Sequence, residues 1–204
     1  VPGNKGGESE TIIGNWLKKS GKRDKVLIAT KVGEDMGEGR SLRKEYVLRE
    51  CEASLRRLQT DYIDLYQTHF DDEVTPPEET MQAYAMLIAA GKVRAIGASN
   101  LDAAQLAEAL RVADARNLPR YATLQPEYNL YDRDKYDGAL RDLAIREGLG
   151  VITYYGLASG FLSGKYRKLQ DIEGRPRAGG LKRYFEGDRG MRILGALDAV
   201  GKRV

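Results

Sequence analysis

The feature that most constrains the fold is a regular alternation of short apolar runs with longer amphipathic segments. Five runs rich in β-forming residues are VLIAT (26–30), DYIDLYQTH (61–69), VRAIGASN (93–100), YATL (121–124) and LGVITY (149–154). The segments between them show helical periodicity, so a strand and a helix recur together about every 30 residues. This alternation indicates parallel strands joined by right-handed crossovers, and therefore an α/β fold.

Capping and terminating residues delimit the helical segments. Ser9 is predicted to cap the first helix and Ser41 the second. The inward face of the first helix is predicted to consist of Ile12, Ile13, Trp16 and Leu17. The single cysteine, Cys51, lies on the apolar stripe of the second helix and is predicted to be buried. Further helices are predicted near 76–91, 102–117, 133–147 and 188–200.

Composition excludes several classes of protein. The chain has 204 residues, 42% of them hydrophobic, and a formal charge of +3, which suits one domain with one core. No basic run suggests nucleic-acid binding, and no apolar run approaches the roughly 20 residues of a membrane span. One cysteine cannot form an internal disulfide, and the first residues lack signal-peptide character. These observations predict a soluble, cytoplasmic protein, and no metal site is predicted.

Polar side chains follow the ends of several predicted strands. Lys31 follows the first strand, and His69, the only histidine, ends the second. Ser99 and Asn100 end the third, and Gln125 follows the fourth. Because the carboxyl ends of parallel strands meet at one rim, these side chains are candidates for a ligand site.

Each of these residues also has a purely structural interpretation. His69 could be a hydrogen-bonded residue at a strand end, and Lys31 could turn outward to water. Asn100 could cap the helix that begins near Asp102. The sequence also bears on whether the strands form an open sheet or a barrel. An open dinucleotide-binding sheet should have a GxGxxG turn after its first strand, and no such turn follows Thr30 or Asn100. The pattern therefore favours a barrel mouth.

Five segments together resemble the aldo-keto reductase family, in order and spacing. They are IATK (28–31), DYIDLYQTH (61–69), AIGASN (95–100), LQPEYNLYDR (124–133) and ASGFLSGKYR (158–167). The resemblance, to the bacterial and potassium-channel-β-like branch, implies a (β/α)8 TIM barrel. About five of the eight units are visible, so residues 1–204 are expected to form one incomplete barrel domain that lacks the first two strands and the last.

The resemblance also implies an activity: NADPH-dependent reduction of an aldehyde or ketone to an alcohol. Lys31 and His69 match the lysine and histidine of the family's catalytic tetrad. The tyrosine that donates the proton and its aspartate are expected outside these residues, so the 204 residues by themselves are expected to be inactive. A lysine charge would make a tyrosine a better acid, and the histidine, in its neutral form, would hydrogen-bond the carbonyl oxygen and orient it. The expected partner is a small carbonyl substrate, and an oligomer is left open.

Further residues are implied to bind NADP(H). Ser99, Asn100 and Gln125 suit the nicotinamide carboxamide, and Tyr154 would stack on the ring. The turn after Tyr154 would approach the pyrophosphate with Lys165; its residues are Tyr155, Gly156, Leu157, Ala158 and Ser159. Many relatives have Ser-Pro-Leu at 155–157, so this chain departs from the pattern there. The basic loop at 165–188 is interpreted either as a lid or as a solvated segment.

Two other functions fit parts of the pattern. One is a regulatory protein on the same barrel, which holds the cofactor with little turnover. The other is an unrelated parallel α/β domain whose strand-end residues only cap helices. An unrelated α/β domain would not bind NADPH, whereas a reductase and a regulatory protein both would. Turnover of an aldehyde would then distinguish the reductase from the regulatory protein.

Overall fold

A computed structural model describes residues 6–35, 37 and 39–203. By its internal contacts the chain divides into a first unit, Val1–Gln125 with Leu143–Val151, and a second unit, Pro126–Asp142 with Ile152–Val204. The single barrel domain expected for residues 1–204 remains a prediction.

The first unit is built on five parallel strands whose spatial order follows the chain. They are β1 (Ala29–Val32), β2 (Ile63–Thr68), β3 (Val93–Ser99), β4 (Thr123–Gln125) and β5 (Gly150–Val151). Every neighbouring pair is parallel. This arrangement confirms the predicted α/β class, because consecutive parallel neighbours are what successive β/α units of a barrel produce.

Helices connect the strands at the predicted places. They are α1 (Glu8–Ser20), α2 (Lys44–Leu58), α3 (Pro77–Ala89), α4 (Ala103–Ala115) and α5 (Ala139–Arg146). The α2 face toward the core includes Val47, Cys51 and Leu58, all fully buried. The prediction for Cys51 is confirmed, and burial together with the nearby Glu52 charge raises the pKa of its thiol to about 12.

The first helix does not face the core as predicted. Leu17 is buried, but Ile12 and Trp16 are 69% and 45% exposed and Ile13 is also exposed. The cause is Gly14, which is buried against α2: a Cβ there would lie 2.1 Å from the Arg57 carbonyl oxygen. The helix therefore packs through its glycine rather than through its largest apolar side chains.

The predicted serine caps are also wrong. Gly7 precedes α1 and Arg43 precedes α2, so Ser9 lies inside the first helix and Ser41 lies outside the second. By contrast, α4 begins with a complete capping box between Asp102 and Gln105. Its Gln105 Nε2 also donates to Asp71 Oδ2 at 2.8 Å. Asp102, not Asn100, is thus the cap of this helix.

Strand boundaries differ most at the edges of the sheet. The first strand begins later than predicted and includes Lys31, because Ile28 N donates to the Asp64 carboxylate at 2.9 Å. Gln125 likewise lies inside β4 rather than after it. The last strand is only Gly150–Val151, and Tyr154 instead forms an isolated bridge with Glu127 in the second unit.

The second unit has its own core. Helical turns at Ala158–Ser163, Leu169–Ile172 and Lys182–Phe185 accompany α6 (Ala178–Leu181) and α7 (Arg189–Gly201). Phe161 stacks on Tyr184 with ring centroids 5.1 Å apart, and Ile172, Leu181 and Leu194 are buried around them. The segment at 165–188, interpreted from sequence as a lid or solvated loop, therefore contributes buried residues to this core.

Candidate functional site

Lys31 and His69 lie on neighbouring strands at the carboxyl rim of the first unit. In the parallel register Lys31 pairs with Gln67, and the His69 N–H donates to the Val32 carbonyl at 2.7 Å. Both side chains are half-buried. The strands therefore bring the two predicted catalytic residues to adjacent positions.

Burial and charge act on both groups. Burial lowers the pKa of the Lys31 ammonium. Burial also lowers the pKa of His69; the Glu34 charge raises it, and the Lys31 and Arg40 charges lower it again. The net shift is downward, so the imidazole is neutral at pH 7.

Glu34 determines which nitrogen of His69 carries the hydrogen. His69 Nδ1 lies 3.2 Å from Glu34 Oε2, and an ionised carboxylate can only accept. A neutral imidazole has one N–H, so that hydrogen lies on Nδ1 and Nε2 presents a lone pair. Sequence reasoning missed Glu34, which stands in a polar loop where nothing distinguishes it from its acidic neighbours.

The amides predicted to bind a cofactor are connected to His69. Asn100 has a left-handed backbone, with φ of 55°, and its Nδ2 donates to the His69 carbonyl at 3.0 Å. Ser99 Oγ accepts from the same nitrogen at 3.2 Å and donates to the Gln125 carbonyl at 2.8 Å. Four of the predicted residues are therefore held at one rim by three hydrogen bonds.

Gln67 is a further rim residue that sequence reasoning did not identify. Its Nε2 donates to Gln125 Oε1 at 3.1 Å, and its own Oε1 lies 3.5 Å from Thr123 Oγ1. Because the oxygen of the Gln125 amide is engaged by Gln67, its NH2 group is the end that can donate to a ligand. Alternation along β2 was the signal that could have identified Gln67, since it shares a face with the residue two positions before it.

The remaining predicted residues lie in the second unit: Tyr154 to Ser159 form one tight turn, and Lys165 follows the helical turn Ala158–Ser163. Tyr154 N donates to the Pro126 carbonyl at 3.0 Å, and the Tyr154 and Tyr155 rings are 5.2 Å apart. Left-handed φ values recur at Tyr155, Ala158 and Ser159, which is strained backbone for residues other than glycine. Ala158 is buried, Gly156 and Leu157 are exposed, and Lys165 Nζ lies 5.0 Å from the Tyr166 ring centroid. Their predicted contacts with a cofactor stay predictions.

Two absences can be stated for the described part of the chain. No helix within residues 6–35, 37 and 39–203 is long and apolar enough to cross a membrane. In those same ranges, no three histidine, cysteine, aspartate or glutamate side chains are grouped so that they could hold a metal ion.

Comparison with known proteins agrees with the fold. The model of the aldo/keto reductase family matches residues 5–200. The chain is 39% identical over 171 residues to the aldo-keto reductase YhdN of Bacillus subtilis, an alignment covering 82% of this chain and 50% of the relative. It is 37% identical over 184 residues to protein tas of Escherichia coli, covering 78% and 53%.

A plant relative points to the same branch. The chain is 35% identical over 165 residues to a probable voltage-gated potassium channel subunit beta of Arabidopsis thaliana, covering 79% of this chain and 50% of the relative. The chain thus spans about half the length of the curated relatives it matches. Five consecutive parallel strands joined by four helices agree with the (β/α)8 barrel of this family. The chain belongs to the aldo/keto reductase family.

Proposed function

We propose that the chain carries part of the active site of an oxidoreductase that uses NADPH to reduce an aldehyde or ketone to an alcohol. The observation that supports this most is the joining of Lys31, His69, Asn100 and Gln125 at one rim by strand register and hydrogen bonds. A rim that served only to end strands would not need a half-buried lysine beside a half-buried histidine.

The donor set fits a nicotinamide. Its carboxamide has a carbonyl oxygen that the Gln125 NH2 can serve, since Gln125 Oε1 is already engaged by Gln67. When bound, the nicotinamide supplies the hydride. In the proposal Ser99 and Asn100 complete the carboxamide contacts, Tyr154 stacks on the ring, and residues 155–159 with Lys165 approach the pyrophosphate. The preference for NADP over NAD is part of the proposal.

His69 would orient the substrate oxygen, and Lys31 would assist the transfer of its proton. With the hydrogen on Nδ1, neutral His69 offers an acceptor at Nε2 and so orients an alcohol hydroxyl. Only the protonated form of His69, the minority at pH 7, has a donor at Nε2 for a carbonyl oxygen, which differs from the neutral donor expected from sequence. Lys31 supplies the charge that would lower the pKa of a proton-donating tyrosine. We also propose that the protein is cytoplasmic.

NADPH titration of the full chain by calorimetry tests the cofactor site. Gln125→Glu keeps the shape and the acceptor but removes the donor, so NADPH should bind about 10-fold more weakly or worse. Gln82→Glu is the matched control, because Gln82 is exposed on α3 and should leave binding unchanged. Equal affinity in both variants would contradict the assignment of Gln125.

A cofactor-holding regulatory protein is the second candidate, supported by the similarity to the potassium channel subunit beta. Adding excess NADPH and excess 4-nitrobenzaldehyde to a protein that contains these residues together with the proton-donor tyrosine separates the two. A reductase consumes many equivalents of NADPH and loses this ability in Lys31→Met. A regulatory protein binds NADPH and consumes at most one equivalent.

A further inference from the structure

A cavity of about 430 Å³ lies in the first unit beside the rim described above, since its lining residues Thr68 and Leu101 adjoin His69 and Asn100 in the chain. Its walls come from the loop after β2, from α3 and α4, and from the segment before α4, and they include Pro77, Met81, Leu101 and Ala109. Consecutive residues of β2 separate it from the candidate site: Gln67 reaches toward Gln125, whereas Thr68 projects to the opposite face of the strand and lines the cavity. Its volume is in the range of small-molecule sites.

The floor of the cavity holds a hydrogen-bond donor that is not used up. Thr68 Oγ1 lies 2.8 Å from Tyr84 OH and 2.7 Å from Tyr121 OH, and all three residues are buried. Three hydroxyls carry three hydrogens, and the two bonds consume two. The third hydrogen can lie on Tyr84, on Thr68 or on Tyr121, depending on which hydroxyl donates in each bond. Thr68 and Tyr121 both line the cavity, so two of the three arrangements leave a free donor there. A ligand acceptor would select those arrangements.

The mouth of the cavity is negatively charged. Among the described residues that line it are Asp71, Glu73 and Glu108, with no lysine or arginine. Glu108 is paired with Arg111 at 2.7 Å, outside the lining, and Asp71 accepts from Gln105. Glu73 is exposed, so its charge faces whatever enters. An anionic ligand would be repelled here and a cation attracted.

We propose that this cavity binds a small amphipathic amine. Its apolar body would pack against Met81 and Leu101, an ether or carbonyl oxygen would accept from the Thr68–Tyr121 hydroxyls, and its ammonium group would lie beside Glu73. The site is independent of the proposed reductase function, since it uses none of the rim side chains.

A charge series on one apolar body tests the proposal. The probes are 4-(4-methoxyphenyl)butan-1-amine, the corresponding butan-1-ol and the corresponding butanoate, titrated into the full chain with methyl-labelled methionines. The amine should shift the Met81 methyl resonance and bind about fivefold or more tightly than the alcohol, and the butanoate should not bind. The methyl groups of Met86, exposed on the same helix, and of Met191 should not move. Equal binding of all three probes, no binding of the amine, or a shift at Met86 instead of Met81 would overturn the proposal.

Two variants locate the site independently. Ala109→Phe fills the cavity and should abolish amine binding, whereas Ala104→Phe, on an exposed position of the same helix, should not. Glu73→Gln should reduce the amine to the affinity of the alcohol, with Glu173→Gln as the exposed control in the second unit. If Ala109→Phe does not fold, Glu73→Gln and the Met81 resonance decide; undiminished amine binding in Glu73→Gln overturns the cationic assignment.

Discussion

Gln67 on β2 donates from Nε2 to Oε1 of Gln125 on β4, at 3.1 Å, and its side chain thereby crosses the strand between them. The crossing depends on Gly97 of β3. A Cβ on Gly97 would lie 2.3 Å from Thr123 Oγ1 and 3.0 Å from Gln67 Oε1. The absence of a side chain at one position thus allows two amides to meet across a strand.

Gly97→Ala should destabilise the protein by about 1–3 kcal/mol, because the added methyl overpacks a filled interior. Urea unfolding measures the change in the free energy of unfolding. Gly195→Ala is the control, since Gly195 lies in α7 with open space around its Cβ position, and alanine is the better helix former there. A Gly97→Ala variant as stable as the parent would contradict the close packing.

A second prediction concerns the amino-terminal end of the sheet. Asp64 is buried and bonded by Arg23 Nη2 at 2.7 Å and Arg94 Nη1 at 2.9 Å, and both guanidinium groups lie over the Tyr62 ring. Asp64→Ala should cost about 3 kcal/mol, because it leaves Arg23 largely buried without its partner. Glu108→Gln, which breaks an exposed ion pair with Arg111, should leave the urea midpoint unchanged.

The pH dependence of stability should follow from the same carboxylate. Burial alone would raise the pKa of Asp64, but the Ile28 N–H, the Arg23 hydrogen bond and the two arginine charges outweigh it, so the pKa is lowered. A lowered carboxyl pKa means that its stabilisation is complete above the unfolded value of about 3.9 and is lost as pH falls toward the folded value. In Asp64→Asn the free energy of unfolding should fall less steeply at acid pH than in the parent. An unchanged fall would mean that other groups cause it.

The third prediction uses the fact that the chain has one histidine. A single imidazole signal should titrate below the ordinary pKa of about 6.5, since burial and the Lys31 charge lower it. Lys31→Met should raise the pKa of His69, and Glu34→Gln should lower it further. Lys18→Met, exposed on α1, serves as the control. An identical His69 titration in the parent and in Lys31→Met would show that the Lys31 charge does not act on His69.

The fourth prediction compares two buried tyrosines. Among the described residues Tyr66 OH has no hydrogen-bond partner, whereas Tyr84 OH is bonded to Thr68. Tyr66→Phe should therefore be neutral or stabilise the protein by about 1 kcal/mol, and Tyr84→Phe should destabilise it by a similar amount. Thermal unfolding of the pair, measured side by side, checks the difference; equal losses in both would show that Tyr66 OH has a partner after all.

Periodicity predicted the order of elements, because alternating strands and helices are specified by local apolar patterns. It did not predict which face of α1 is buried, since Gly14 packs by close backbone approach and has no apolar signal. It also began the first strand too early, because Asp64, far along the chain, takes the Ile28 N–H. Local pattern cannot anticipate a distant side chain.

The candidate site shows the same division. Lys31, His69, Asn100 and Gln125 could be chosen from sequence because polar residues at parallel strand ends converge. Glu34 could not, since its importance comes from the atom it approaches rather than from its position in a motif, and for Gln67 alternation along β2 gives the face but not the amide it contacts. The tautomer of His69 in particular depends on a loop carboxylate that only the folded arrangement brings near.

The double use of the Gln105 amide has a mechanical consequence. Its oxygen accepts from Asp102 N at 3.0 Å while its nitrogen holds Asp71, so the first turn of α4 and the loop after β2 are fastened through one side chain. That loop cannot lift away without loosening the first turn of the helix. Amide hydrogen exchange at Asp102 and at Glu73 should therefore rise and fall together, as one cooperative opening.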